Sequence, residues 1–218
     1  MISWEGGLRV GCECELGAEE TKVLCSILRF ILECGKSPTL EQLRLSLGKS
    51  GKEIIRALDE LEKKDLLVRK KATQEMACVY PVSLKPTKHR VFLENKTRLF
   101  AMCAVDALGM PILFNKNARV VSRCEQCRSD MVFEIKNEEI VFISHQDAVI
   151  CSPKRQVYPA AETCCPFINF FCSKEHAEEW VAKNSRLIDN INPIVSVQQR
   201  FPKIKSCWVS YGELLGFR

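Results

Sequence analysis

Apolar side chains recur at helical spacing from residue 18 to 35, where Val23, Leu24, Ile27, Leu28, Ile31 and Leu32 share one face and Gly35 marks the stop. Pro38 and Thr39 open a second, shorter helix carrying Leu40, Leu43 and Leu47, closed by Gly48. Ser50 is placed to cap a third, with Ile54, Ile55, Leu58 and Leu61 along one side. The pattern then shortens to strand-like runs at 66–70 and 77–84. Three helices and a hairpin predict a winged-helix-like domain over residues 1–88, and the stretch 84–90 reads as a linker. Beyond it the pattern predicts a helix over 97–109, strands at 118–122, 131–135 and 139–144, and a looser segment at 145–163. An apolar strand at 167–171, a helix at 174–184 and a strand at 193–197 follow. The alternation predicts an α+β fold, with residues 89–218 forming an α+β domain built on antiparallel strands.

Charge changes this picture little. The 32 basic and 27 acidic side chains leave +5, spread along the chain. The third helix would be the recognition helix of a winged domain, yet its Lys49, Lys52, Arg56, Lys63 and Lys64 are mixed with Glu53, Asp59, Glu60 and Glu62. That mixture is poor for phosphate contact and argues against nucleic acid as a partner. No apolar run reaches the roughly 18 residues of a membrane span, and the first residues lack the basic-then-apolar pattern of a secretory signal. The expectation is a cytoplasmic chain without a membrane partner.

Cysteine changes the picture more. There are 13 in 218 residues, an odd number, against only three histidines. In a reducing compartment they are thiols, available for metal or catalysis. Cys103 and Asp106 sit three apart on the predicted helix 97–109, among Leu99, Phe100, Met102, Val105 and Leu108, with Thr97 as its cap and Gly109 and Pro111 as its end. An Asp in such surroundings must find a partner, reach a cavity or keep its proton. Cys164 and Cys165 precede the apolar strand, Cys172 ends it, and His176 lies one turn into the next helix. Cys124 and Cys127 form a Cys-x-x-Cys, which with Cys172 and His176 makes a candidate treble-clef-like structural zinc site. Cys12 and Cys14 form a Cys-x-Cys in the N-terminal stretch, a chance pair or a soft-metal ligand pair.

The run RLFAMCAVDALGMP, followed by NARVVSRC, then CCPFINFFCSKEHAEEW and PIVSV, resembles the organomercurial (alkylmercury) lyases over roughly residues 90–200. The helix–hairpin region is similar to that family's degenerate winged-helix domain. The resemblance implies that Cys103 is the first catalytic cysteine, Asp106 the catalytic aspartate and Cys165 the second cysteine, with Cys164 as the alternative. It implies a structural role for Cys124, while Cys127, Cys172 and His176 go beyond the family's pattern. The implied reaction is protonolysis of a carbon–mercury bond to a hydrocarbon and Hg(II), which Cys103, Asp106 and Cys165 hold as substrate and product. The implied partners are a small organomercurial, small cytosolic thiols and a mercuric reductase that takes the product; no organic cofactor is needed. Soft thiolates suit mercury, but an ordinary thiol near 8.5 is separated from an ordinary Asp near 3.9 by about 6 kcal/mol. Burial of the Asp and mercury–sulfur bonding would close that gap. A cysteine-rich metal-binding regulator or sensor is the alternative reading.

Overall fold

The structure, a computed structural model, describes residues 15–153, 160–184 and 194–218. Three helices come first: α1 (Ala18–Cys34), α2 (Leu40–Leu47) and α3 (Gly51–Lys63). Thr39 with Gln42 and Ser50 with Glu53 form capping boxes at α2 and α3, and Gly35 and Gly48 close α1 and α2 in the left-handed conformation. Val23, Leu24, Ile27, Leu28 and Ile31 of α1 are fully buried, as the spacing predicts.

The strands that follow are β1 (Leu67–Arg69), β2 (Met76–Val79), β3 (Val82–Ser83), β4 (Arg90–Leu93) and β5 (Arg98–Ala101). After helix α4 (Ala104–Leu113) come β6 (Ala118–Arg123), β7 (Asp130–Lys136) and β8 (Glu139–Ile143). These eight strands form one antiparallel sheet in the order β1-β2-β3-β5-β4-β6-β7-β8. The sheet crosses residue 88 unbroken, because β3 pairs with β5 through Val82–Ala101 and Ser83–Phe100. A second, three-stranded antiparallel sheet is made by β9 (Val149–Cys151), β10 (Asn169–Phe171) and β11 (Val195–Ser196), in the order β10-β9-β11. The remaining helices are α5 (Ala160–Thr163), α6 (Lys174–Lys183) and α7 (Val197–Leu214). No helix among the described residues is long and apolar enough to cross a membrane.

Three expectations are corrected. The segment 97–109 is not one helix: 98–101 is a strand, hydrogen-bonded to β3 and β4 on its two sides, and the helix starts only after Cys103. Gly109 and Pro111 do not end that helix, which runs on to Leu113. Every residue of α4 is buried, and its packing against α7 and β5 outweighs the hydrogen bond that Pro111 cannot donate. The segment 145–163 is not simply loose, since it supplies the central strand of the smaller sheet.

Candidate functional site

Strand β5 delivers the chain into the core, and Cys103 takes the N-cap of α4 with an extended backbone. Cysteine is not a favoured cap, but here its Sγ accepts the Asp106 backbone N–H at 3.4 Å. The sulfur thus stands over the free N–H groups of a helix N-terminus, where negative charge is favoured. The next N–H, of Ala104, donates instead to the Ile168 carbonyl at 3.0 Å. That bond draws a second segment to the same end of α4: a short 3-10 turn, Cys165–Phe167, leading into β10. The turn's approach is tied from upstream, where Ala160 donates its backbone N–H to Asp65 Oδ2 at 2.7 Å.

Cys103, Asp106 and Cys165 therefore meet, each offering a ligand atom within 4.8 Å of the others. Cys164 is buried beside Cys165 but stands outside this group. Cys103 and Asp106 are each 1% exposed and Cys165 6%. Burial lifts the Asp106 carboxyl from an ordinary 3.8 to about 7, against the opposing hydrogen bonds of Cys103 and Tyr80. Burial also pushes the Cys103 thiol well up, helped by Cys165 and the Asp106 charge, and lifts Cys164 to about 12. Asp106 Oδ2 is buried with no hydrogen-bond partner. A carboxyl poised between its charged and neutral forms near neutral pH, with one bare oxygen beside two thiols, is equipped to exchange a proton with whatever those thiols bind.

Sequence reasoning missed two side chains, Tyr80 and Trp208, and the helix that carries the second. Tyr80, just beyond β2, is partly buried and hydrogen-bonds to the Asp106 carboxyl. Trp208 stacks on Tyr80 at 5.4 Å between ring centroids and lies over Gly109 of α4. Trp208 belongs to α7, whose Val197, Phe201, Ile204, Trp208 and Tyr211 have the helical spacing that could have found it.

A second cluster lies at the other end of β10. Cys124, Cys127, Cys172 and His176 each offer a ligand atom within 4.8 Å of the others, as their spacing suggests. Cys124 is fully buried, Cys172 and His176 half-buried, and Cys127 exposed. The Cys-x-Cys at residues 12 and 14 lies outside the described residues.

The alkylmercury lyase family model matches residues 82–201 of this chain. The chain is similar to the alkylmercury lyases of Bacillus cereus and of Clostridium butyricum, each 26% identical over 166 residues that cover 76% of this chain and 73% of theirs. It is also similar to the alkylmercury lyase of Pseudomonas putida, 26% identical over 166 residues, 75% of each chain. The fold matches the crystal structure of the mercury-bound form of MerB2 with a TM-score of 0.77 and 23% identity, over 92% of this chain and 93% of that one.

Proposed function

Because the chain belongs to the alkylmercury lyase family, we propose that it cleaves the carbon–mercury bond of small organomercurials by protonolysis, with Cys103, Cys165 and Asp106 as the reacting groups. The observation that carries this reading is the meeting of two thiols with a carboxyl that burial lifts to about 7.

In the cycle, the Cys103 thiolate binds R–Hg⁺ first. Cys165 then bonds to the same mercury and gives its proton to Asp106. Asp106 passes that proton to the carbon as the carbon–mercury bond breaks, so R–H leaves and Hg(II) stays on two sulfurs. The sum is R–Hg⁺ plus two thiols giving R–H, a dithiolate-bound Hg(II) and one proton released to solvent. With the carboxyl near 7, the step from an ordinary thiol costs about 2 kcal/mol instead of about 6, before mercury–sulfur bonding drives it further. Small thiols then draw Hg(II) off the enzyme and pass it to a reductase.

The regulator reading gains less support from the helix–hairpin region. Several of its cations are paired with neighbouring acids: Lys63 with Glu60 at 2.7 Å, and Arg69 with Asp59 and Glu62 at 2.6 and 2.7 Å. Lys49 pairs with Glu19 and Lys64 with Glu20. Those pairs reduce the charge this region can offer a phosphate backbone.

The test is gas chromatography of the headspace over pure protein, methylmercury and excess thiol. Methane above the protein-free control is expected, with at least a hundredfold loss in Cys103→Ser, Cys165→Ser and Asp106→Asn and a smaller effect in Cys164→Ser. Asp106→Asn should still bind methylmercury. Mercury binding without methane from the parent protein would overturn the lyase reading.

A further inference from the structure

The cluster at the far end of β10 takes no part in that chemistry, and its construction is that of a closed metal site. After β6 the chain turns sharply: Cys124 N–H donates to the Ser129 carbonyl at 2.9 Å and Arg128 N–H to the Cys124 carbonyl at 3.0 Å. Arg128 holds φ at 64°, the left-handed value that completes such a turn. This knuckle presents Cys124 and Cys127 on one side. Opposite them, Cys172 leaves β10, Ser173 caps α6, and His176 sits in the first turn of that helix. Glu125 N–H donates to the Phe170 carbonyl at 3.0 Å and sets the knuckle against the strand.

The donor distances suit a tetrahedral ion. Zinc–sulfur bonds of about 2.3 Å and zinc–nitrogen bonds of about 2.0–2.1 Å require sulfur–sulfur edges of about 3.8 Å and sulfur–nitrogen edges of about 3.6 Å. Cys127 Sγ lies 3.7 Å from Cys172 Sγ, and Cys124 Sγ lies 3.8 Å from His176 Nδ1. The Cys172 Sγ to His176 Nδ1 contact, at 2.9 Å, is a hydrogen bond that a bound ion would open by about 0.7 Å. Three sulfurs and one imidazole in this arrangement select zinc over the hard cations, and one histidine among the donors disfavours an ordinary iron–sulfur cluster.

We infer that Cys124, Cys127, Cys172 and His176 bind one Zn²⁺ as a structural Cys₃His site that clamps the β6–β7 turn to the β10–α6 junction. All four tetrahedral positions are filled by this chain, so no position is open for substrate. Binding takes up one Zn²⁺ on three thiolates and a neutral imidazole, with whatever thiol protons remain released to solvent, leaving a site of net charge −1. The clamp has a bearing on the reaction centre. Cys172 is seven residues beyond Cys165, and the chain between them is the 3-10 turn, the Ile168 carbonyl that receives Ala104 N–H, and β10. Fixing one end of this short run limits where the second thiol can go at the other.

The experiment measures metal per chain by plasma mass spectrometry after the full-length protein is incubated with zinc and desalted. It is repeated with Co²⁺, whose tetrahedral thiolate complexes absorb visibly. One zinc per chain is expected in the parent and in Cys103→Ser/Cys165→Ser, and less than a tenth of that in Cys127→Ser, whose side chain is exposed and whose loss leaves the core intact. Chelation should lower the melting temperature by several degrees, and zinc but not magnesium should restore it. A parent without stoichiometric zinc, or a zinc lost with Cys103 and Cys165 but kept in Cys127→Ser, would overturn the inference. Zinc content and methane release from the parent protein are read by separate measurements, so the two readings fail separately.

Discussion

Asp106 holds its proton up to near neutral pH, where it titrates, because its buried anion has too few partners. Lifting a carboxyl from 3.8 to about 7 corresponds to about 4 kcal/mol at 1.36 kcal/mol per pH unit. Between those two values the unfolded chain has already lost this proton while the folded chain keeps it, so stability falls as pH rises. The contribution is complete below 3.8 and is lost once pH has passed about 7. Asparagine cannot ionise, so Asp106→Asn removes that slope. Urea unfolding is expected to show the variant gaining about 2–3 kcal/mol on the parent between pH 5 and pH 8; parallel curves would mean that the carboxyl ionises freely in the fold. The sequence made the Cys103–Asp106 pair visible through its spacing and its apolar neighbours. It did not show that Cys103 caps the helix, because the three-residue offset looks the same from the middle of a helix as from its start. Tyr80 was invisible, since its tie to Asp106 arises only when β2 and α4 are brought together by the sheet.

Helix α4 is the element on which the site is built, and its closest neighbour sets its tolerance. A Cβ added to Gly109 would lie 2.0–2.4 Å from three atoms of the Trp208 indole. Trp208 is fully buried and stacked on Tyr80, so it has little room to withdraw. Gly109→Ala is expected to cost about 1–3 kcal/mol, read as a lower denaturation midpoint, and to reduce methane release through the displaced Tyr80. An unchanged midpoint would show that the indole moves aside freely. Helices α1, α2 and α3 were legible because their caps and apolar faces agree. The strand at 98–101 was not, since four residues between a helix-like run and a turn carry no periodicity of their own and only pairing with β3 and β4 decides them. Helix α7 carried a clear apolar spacing, but Pro202 within it reads as a breaker.

On the scale of the whole molecule, the helix–hairpin region and the rest of the chain share one sheet. A chain beginning at residue 89 would lack β1, β2, β3 and Tyr80, and would turn β5 into an open edge bearing the buried Leu99 and Ala101. It is expected to melt without a cooperative transition by circular dichroism and to release no methane; a sharp transition would show that the catalytic part folds alone. The alternation of elements was enough to predict an antiparallel α+β architecture, while the continuity of the sheet across residue 88 depends on long-range pairing that no local pattern records. The enclosure this fold makes around Cys103, Asp106 and Cys165 also has a geometric result for the product. The ligand atoms of Cys103, Cys165 and Asp106 lie within 4.8 Å of one another, so under the proposed roles the incoming proton and the departing metal stand on the same side of the carbon. Replacement from that side keeps the carbon's configuration. An alkenyl mercurial of defined E or Z geometry, cleaved in heavy water, should yield the alkene with deuterium standing where mercury stood.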